Sequence, residues 1–392
     1  MSEEQRRGSL SQVHVKGFRS LRDTTLELSS EVTVLAGANG SGKSNVLRAL
    51  ELIGQLPAGN IQETLLRWGG FSQQLHVAPR EIDNADHIEI ELWEKPREVI
   101  RGLVQNGYAV RLDEAANDES LLKEKFYYWD KASHSEPFSP DWGRGRKESR
   151  LTSPDLPFDD GTPENRVRMY VRPLIEGLQA FHFDDTSLNA PPLTSTLVSD
   201  NVELADDASN IAAILLHLRE TERDAYDSIV WAVRGVAPFF DDFVLRPIGD
   251  SIQLRWKQKG ARQVLPGNAL SSGTLRYLCL SVLLNQPELP QTIVLDEPEL
   301  GLHPLAISHF VELLRSAARG RSIVVATQSV TMLNQFSIDE VVIASRQAGA
   351  TELHRPDASE YEDWLEDYTL GQLWETNVLY GGYPRFESGA PQ

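Results

Sequence analysis

The stretch Gly37-Ala-Asn-Gly-Ser-Gly42-Lys43-Ser44 decides the fold of this chain. It fits the pattern G-x-x-x-x-G-K-[ST], it follows the apolar segment 32–36, and it opens a segment with helical spacing at 45–56. Its backbone N–H groups and the helix dipole favour a phosphate, although a glycine-rich turn matching by chance is the alternative. We predict an α/β P-loop NTPase in which Lys43 contacts the phosphates and Ser44 binds Mg²⁺. The remaining predicted ATP-binding residues of this loop are Asn39, Gly40, Ser41, Gly42 and Asn45.

A second motif is the apolar run 292–295 followed by Asp296 and Glu297. A buried strand at this place delivers Asp296 to the edge of a sheet, where it can hold the hydration shell of Mg²⁺. Glu297 is then placed to orient and deprotonate the attacking water, so we predict that it is catalytic together with Lys43. A turn or helix cap before Pro298 is the alternative interpretation.

The third motif, Ser271-Ser272-Gly273, precedes an apolar helix predicted over 273–285. Alone it reads as a helix cap. Its place between the other two motifs and close to Asp296 is typical of ABC ATPases, where the signature serine and glycine approach the γ-phosphate held by another subunit. One phosphate loop and one signature in the chain predict a head-to-tail homodimer that sandwiches two ATP molecules.

Composition limits the classes of protein to which the chain can belong. The net charge of −19 argues against binding nucleic acid by overall charge, and the single cysteine, Cys279, excludes an internal disulfide bond. The first eight residues lack the apolar run of a signal peptide, and no segment is apolar for long enough to span a membrane. We therefore expect a cytoplasmic protein without a membrane anchor.

Alternating apolar residues predict strands around residues 13–18, 26–28, 87–93, 108–112 and 126–129, and a continuous apolar run predicts one over 322–327. Helices are predicted over 173–180 and 210–236. Residues 131–165, rich in Ser, Pro, Gly and Asp, are expected to form an exposed or poorly ordered insertion. We predict three regions: 1–69 and 201–392 as the two parts of an ATPase head, and 70–200 as an inserted β and helical region.

The chain resembles the stand-alone RecF/SMC-like ABC ATPases, a bacterial AAA family group, over nearly its whole length. The most specific stretches are Leu270-Ser-Ser-Gly-Thr-Leu-Arg276 and Asp296-Glu-Pro-Glu-Leu-Gly-Leu-His-Pro304. The other stretches that carry the resemblance lie at residues 15–20, 37–44, 67–71, 181–184 and 364–374. The resemblance implies an ABC-type head with a mixed sheet, an antiparallel β subdomain and a helical lobe.

Further roles follow only from this resemblance. Arg19 matches an arginine that lies near the nucleotide, with a surface arginine as the alternative. His303 either contacts the opposing site or only begins a helix. Gln328 stands where relatives carry a histidine that senses the γ-phosphate; it can donate a hydrogen bond but carries no charge, which predicts slow hydrolysis. Gln73 and Gln74 are candidates for the family's glutamine, with ordinary surface glutamines as the alternative.

The function predicted from the resemblance is an ATP-gated dimeric switch in anti-phage defence or DNA maintenance, acting with a nuclease or Toprim-type effector, and with DNA as a possible partner. A transporter subunit fits the long central region poorly, whereas a scaffold with structural nucleotide stays open because of Gln328. Basic residues at Arg144, Arg146, Lys147 and Arg150 are the candidate nucleic-acid patch, with a solvated loop as the alternative. The aromatic tail 364–374 either packs on the core or docks a partner.

Overall fold

The computed structural model describes residues 9–29, 31–78, 84–99, 102–138, 142–152 and 163–379. The ten helices of this described part are α1 (Lys43–Gly54), α2 (Ile61–Arg67), α3 (Pro163–Glu176), α4 (Ile211–Thr221), α5 (Arg223–Val236), α6 (Ser272–Leu284), α7 (Pro304–Ala317), α8 (Val330–Leu333), α9 (Glu362–Asp367) and α10 (Leu370–Glu375). Its strands are β1 (Leu10–Phe18), β2 (Leu21–Glu27), β3 (Val32–Ala36), β4 (His87–Glu94), β5 (Arg97–Val99), β6 (Gly102–Glu114), β7 (Ser120–Asp130), β8 (Leu178–Phe181), β9 (Thr196–Leu197), β10 (Phe240–Phe243), β11 (Ser251–Ile252), β12 (Arg255–Gln258), β13 (Val264–Pro266), β14 (Thr292–Asp296), β15 (Ser322–Thr327), β16 (Val341–Gln347) and β17 (Ala350–His354).

The central sheet has the strand order β17-β16-β3-β15-β14-β8 and is parallel except for the β16–β17 pair. Every residue of β3 and β15 is buried. Along β3, Val34 packs into the hydrophobic core on one face of the sheet and Leu35 into the core on the other. Burial on both faces explains the continuous apolar runs, and it confirms the predicted mixed α/β sheet.

A second, antiparallel sheet has the order β2-β1-β4-β6-β5, with β7 paired to β6. Ile88, Ile90 and Leu92 of β4 are buried while the residues between them are partly exposed, as expected for a sheet with one face on a core. This sheet shares its core with α1 and α3. The predicted antiparallel subdomain is confirmed. Two of its strands precede the predicted boundary at residue 69 and the others follow it. The division of the chain into three regions stays a prediction.

The helical lobe contains α4, α5 and α6, whose apolar faces join the other core. One predicted helix over 210–236 is wrong, because the backbone breaks at Glu222, which lies outside the helical region with φ −130° and ψ 64°. The predicted helix over 173–180 is also wrong. The helix there is α3, which ends at Glu176, and the next residues form β8 because they pair with the buried strand β14.

Residues 142–152 are held against the antiparallel sheet more firmly than a free loop would be. Ser149 and Leu151 are buried, and Glu124 of β7 accepts hydrogen bonds from the hydroxyl of Ser149 (2.6 Å) and the backbone N–H of Arg150 (2.7 Å). The expected exposed insertion is therefore wrong for residues 148–152, whereas residues 143–147 and most of 131–138 are exposed as expected, and residues 139–141 and 153–162 lie outside the described residues.

The C-terminal segment divides its aromatic and aliphatic residues between the core and the surface. Leu370, Leu373 and Trp374 are buried in the core, while Trp364 and Tyr368 are 45% and 46% exposed. Packing of the tail on its own core is confirmed for α10 and for Leu365 of α9, which is partly buried against the same core. Among the described residues, no helix has the length and apolar character needed to cross a membrane. The first eight residues and those after 379 lie outside the described part.

Candidate nucleotide site

The phosphate loop lies between β3 and α1, and two of its glycines take left-handed backbone conformations. The angle φ is 79° at Gly40 and 105° at Gly42, which caps the N-terminus of α1. A Cβ atom at Gly42 would lie 1.9 Å from Oγ1 of Thr351. Glycine is therefore required at residue 42 both by the backbone conformation and by the lack of space.

A polar network holds the phosphate loop against β17 and the β1–β2 turn. Oγ1 of Thr351 donates to the backbone carbonyl of Ser41 (2.9 Å) and lies 2.6 Å from the hydroxyl of Ser20. The side-chain amide of Asn45 donates to that same hydroxyl (2.7 Å). Asn45, a predicted ATP ligand, thus uses its amide to support the loop. Thr351 was not predicted, because no local pattern links it to residues about 310 positions earlier.

Lys43 lies inside the loop with 5% of its surface exposed. Its Nζ donates to the backbone carbonyls of Gly37 (2.6 Å) and Ala38 (3.3 Å). Burial lowers the pKa of the amine, while the negative charges of Glu297 and Asp296 oppose that shift. The lysine therefore faces the acidic ends of the neighbouring strands, as the two motifs predict when they form one site.

The parallel strands β3, β15, β14 and β8 end at the same edge of the sheet, which brings the separate motifs together. Ser44, Asp296 and Glu297 line one cleft of about 380 Å³ at this edge. Oδ1 of Asp296 is buried and has no hydrogen-bond partner among the described residues. A buried carboxylate oxygen without a partner, in the same cleft as a serine, fits the oxygen ligands that Mg²⁺ prefers.

Glu297 has a backbone conformation that is unusual for a residue with a side chain. Its φ is 43°, and its N–H donates to the carbonyl of Ala326 (2.9 Å) in the adjacent strand β15. Such a conformation typically costs about 1–3 kcal/mol and is often found at functional sites. The turn presents the Glu297 carboxylate to the cleft, where the side-chain amide of Gln328 donates a hydrogen bond to it (3.3 Å).

Glu299, two residues further, is almost fully buried behind this pair. Its Oε1 accepts a hydrogen bond from the Thr327 hydroxyl. Burial is the main cause that raises the pKa of Glu299 to about 7; the nearby charges of Glu297 and Asp296 contribute to the increase, and the hydrogen bond from Thr327 opposes it. The site therefore contains a carboxyl group that is partly protonated at neutral pH.

The sequence did not predict His182, which follows β8 and lines the same cleft. Its Nε2 lies 3.4 Å from Oε2 of Glu51, a residue of α1 that shares the cleft-facing side of the helix with Ser44. The Glu51 carboxylate raises the pKa of this imidazole. In the sequence, the stretch 181–184 only carries part of the family resemblance; its place at the cleft depends on the pairing of β8 with β14.

The signature residues do not line this cleft. Ser271 caps α6 by accepting a hydrogen bond from the N–H of Thr274 (3.2 Å), and both Ser271 and Ser272 are exposed. Within one chain the signature is therefore a helix N-terminus open to solvent, apart from the phosphate loop. Gly273 packs closely on the loop that follows β14.

The remaining predicted residues have structural contacts. Nε of Arg19 donates to Oε1 of Gln74 (2.8 Å), its guanidinium lies over the Trp68 ring, and burial lowers its pKa to about 10. Gln74 is fully buried, so the surface alternative is wrong for it, whereas Gln73 is exposed. His303 caps α7 by accepting from the N–H of Leu305 (3.3 Å), as the helix-start alternative predicts. A nucleotide contact for Arg19 stays a prediction.

The phosphate loop, the acidic strand end and the solvent-facing signature define an ABC-type P-loop ATPase head of the RecF/SMC kind. A crystal structure of an Smc head bound to the C-winged helix domain of ScpA shares this fold, with a TM-score of 0.58 at 15% identity over 91% of this chain and 99% of that one. An Smc head from Pyrococcus furiosus gives 0.56 at 14% identity, over 92% and 99%. Residues 32–334 match the family described as "AAA domain, putative AbiEii toxin, Type IV TA system", and the chain belongs to that family.

Similarity to curated proteins is limited to short segments. The chain is 35% identical over 80 residues to the DNA replication and repair protein RecF of Parasynechococcus marenigrum, which is 20% of this chain and 21% of that protein. It is 33% identical over 87 residues to the chromosome partition protein Smc of Methanococcus voltae, 22% of this chain and 7% of that protein. Because the matches span so little of these relatives, they identify the ATPase kind and not the activity of the whole relative.

Proposed function

We propose that this chain binds ATP with Mg²⁺ and hydrolyses it. Lys43 and the N–H groups of the phosphate loop hold the phosphates, and Ser44 and Asp296 hold the metal, which neutralises phosphate charge when it is bound. Glu297 accepts the proton of the attacking water. The observation that carries the proposal is the shared cleft of Ser44, Asp296 and Glu297 at the edge of the sheet.

The active form that we propose is a head-to-tail homodimer. In one chain, Ser271 and Ser272 are exposed at a helix N-terminus and do not line the cleft that holds Glu297. A second copy can place this helix end against the γ-phosphate of the first, where its free N–H groups and dipole favour the negative charge. ATP then closes the dimer, and hydrolysis opens it.

We infer that turnover is slow and that ATP acts mainly as the signal for dimerisation. Gln328 is neutral and donates its hydrogen bond to the Glu297 carboxylate. It therefore supplies no positive charge to the γ-phosphate, and it occupies one oxygen of the catalytic base. The same contact supports a second candidate function, a scaffold whose nucleotide is only structural.

Light scattering after size exclusion, combined with a phosphate-release assay, tests these proposals. We expect wild type to hydrolyse ATP slowly, Glu297→Gln to accumulate as an ATP-bound dimer, and Lys43→Ala to stay monomeric at every ATP concentration. Nucleotide-independent mass in all three proteins, without phosphate release, would refute the switch and support the scaffold. If the wild type forms an ATP-dependent dimer but releases phosphate no faster than Glu297→Gln, the proposed hydrolysis is refuted and the proposed dimerisation is not.

The cellular role that we propose is anti-phage defence or DNA maintenance in the cytoplasm, together with a nuclease or Toprim-type effector. The description of the family names a toxin of a type IV toxin–antitoxin system, which favours defence, and the names of the RecF relatives favour DNA repair. Phage plating and DNA-damage survival of cells carrying the wild-type locus or Lys43→Ala distinguish the two. Protection from phage that requires Lys43 supports defence, and equal plating with altered damage survival supports repair.

DNA is a possible partner through the exposed basic residues of the segment 142–152. Arg144, Arg146 and Lys147 are exposed, and Lys147 pairs with Glu119 (2.6 Å). A joint change of these three residues to Glu is expected to abolish salt-sensitive DNA binding in the ATP state. DNA binding that persists unchanged in this variant would exclude the segment as the DNA-contacting surface.

A further inference from the structure

Arg276, three residues after the signature, joins α6 to two loops that flank the nucleotide cleft. Its Nε donates to the backbone carbonyl of Phe183 and its Nη2 to that of Asp184, each at 2.9 Å. Its Nη1 donates to the backbone carbonyl of Leu300, in the loop that follows β14. One guanidinium thus binds the segment after β8, the loop after Glu297 and the signature helix together.

Burial of the Arg276 charge is costly in free energy, because the residue is only 8% exposed and its three described hydrogen-bond acceptors are neutral carbonyls. Burial lowers the pKa of the guanidinium, and the negative charge of Asp184 opposes that shift. Only the planar fork of arginine reaches three acceptors in fixed directions, whereas lysine offers a single ammonium. The arrangement is therefore specific to arginine.

The signature also contacts the same loop directly. A Cβ atom added at Gly273 would lie 2.4 Å from the carbonyl oxygen of Gly301, so the start of α6 rests on the backbone of this loop without an intervening side chain. A displacement of the signature is transmitted to residues 300–301 by contact, because closely packed backbones have no free space to absorb it.

The loop in turn is tied to the catalytic glutamate. The N–H of Leu300 donates to the carbonyl of Glu297 (3.2 Å). The path therefore runs from Gly273 and Arg276 through Leu300 to Glu297, entirely within one chain and by hydrogen bonds or direct contact. It links the exposed signature at the start of α6 to Glu297, the base proposed above.

We propose that Arg276 is a positioning residue that couples the two ATP sites of the dimer. When the ATP of the second copy engages Ser271–Gly273, Arg276 and the Gly273–Gly301 contact set the position of Leu300, and with it Glu297 of the same chain. Hydrolysis at each site then depends on occupancy of the other. The inference rests on the proposed ATP-dependent dimer.

A mixed dimer separates this role from local support of the signature. A limiting copy keeps Glu297, and a large excess of a Glu297→Gln copy partners it, so that only the limiting copy hydrolyses ATP. Arg276→Lys is then placed either in the limiting copy or in the excess copy. The signature of the excess copy completes the active site, whereas the signature of the limiting copy faces the silent site.

We expect Arg276→Lys in the limiting copy to lower turnover about tenfold, within the usual range of coupling between sites, and in the excess copy less than about twofold. A loss confined to the excess copy would show that Arg276 only supports its own signature. Equal losses in both arrangements, or no loss in either, would also overturn the proposal. Absence of hydrolysis in the unsubstituted mixed dimer would instead refute the proposed function, and the inference with it.

Arg355→Lys is the matched control. The Arg355 guanidinium also bridges two backbone carbonyls, those of Asp339 and Glu27, and burial also lowers its pKa, but it does not line the nucleotide cleft. We expect wild-type turnover from this variant in both arrangements. If Arg276→Lys melts well below Arg355→Lys, Arg276→Gln, which keeps one donor amide, repeats the test, and the same asymmetry between the two arrangements is required of it.

Discussion

Nε2 of Gln328 lies 3.3 Å from Oε2 of Glu297, so the residue after β15 binds the carboxylate that follows β14, which we propose as the catalytic base. Because β14 and β15 are adjacent and parallel, their ends meet at this point of the sheet. The amide occupies one of the two carboxylate oxygens that could accept a proton from water. The Glu297 carboxylate is therefore less available to the attacking water than a carboxylate without this hydrogen bond.

Replacing Gln328 by histidine is expected to raise ATP turnover, since an imidazolium can supply positive charge to the γ-phosphate. We expect an increase on the order of tenfold, below the effect typical of a complete electrostatic stabiliser. Phosphate release at saturating ATP measures it, with Gln258→His on the exposed end of β12 as the control. Brisk wild-type turnover that is unchanged in Gln328→His would contradict slow hydrolysis through Gln328.

Glu299 predicts a decrease in stability with rising pH. Its pKa is raised from the ordinary 4.5 to about 7, so the folded chain retains a proton that the unfolded chain releases earlier. The free energy of unfolding therefore falls as the pH rises from about 4.5 to about 7, by on the order of 3 kcal/mol for this group. Glu299→Gln is expected to flatten the melting temperature across this window.

Melting curves of wild type and Glu299→Gln at several pH values test this expectation. Glu340→Gln is a suitable control, because the pKa of Glu340 is lowered and its contribution is lost as the pH falls. Parallel pH profiles of wild type and Glu299→Gln would show that the pKa of Glu299 is not raised in the folded chain.

Thr351→Val is expected to weaken ATP binding without changing the shape of the side chain. The variant loses the donor to the carbonyl of Ser41 and the contact with Ser20, at a typical cost of about 1 kcal/mol for each hydrogen bond. We expect Kd for ATP to rise at least about fivefold, measured by calorimetry. Thr221→Val, at the exposed end of α4, should leave Kd unchanged. Wild-type affinity in Thr351→Val would show that the loop holds its shape without β17.

The ion pair of His182 and Glu51 predicts that the raised pKa of the imidazole depends on the Glu51 carboxylate. Glu51→Gln should lower the pKa of His182, because the neighbouring carboxylate is the largest cause of its increase. The pair stabilises the folded chain below the ordinary His pKa of 6.5, and this contribution is lost as the pH rises through the folded value. NMR titration of the imidazole, with the partly exposed His217 as the reference, measures both. An unchanged His182 titration in Glu51→Gln would contradict the pairing.

The tail predicts two different responses to truncation of its side chains. Leu373→Ala removes a side chain that is 1% exposed and should lower the free energy of unfolding by about 2–5 kcal/mol. Trp364→Ala, at a residue that is 45% exposed, should lower it by less than about 1 kcal/mol. Urea unfolding of both variants provides the comparison. Equal losses would show that Trp364 belongs to the core.

The sequence by itself determined the parts of the fold that rest on local chemistry. Within residues 32–56, continuous apolar residues predict the strand, glycines predict the loop and helical spacing predicts the helix. Asp296 ends a second strand that is also recognisable as a continuous apolar run. The solvent-facing start of α6 could also be predicted, because Ser271 is a good N-cap. The errors fell where local pattern is weak, at the break near Glu222 and at β8.

The tertiary structure alone decided which residues share the site. Thr351, His182 and Arg276 are brought there by strand order and by contacts between residues about 90 to 310 positions apart. It also separated the buried Gln74 from the exposed Gln73, and the buried α10 from the exposed Trp364. Periodicity shows that a residue has a buried face; the neighbour that covers it depends on how distant strands pair, which no local spacing encodes.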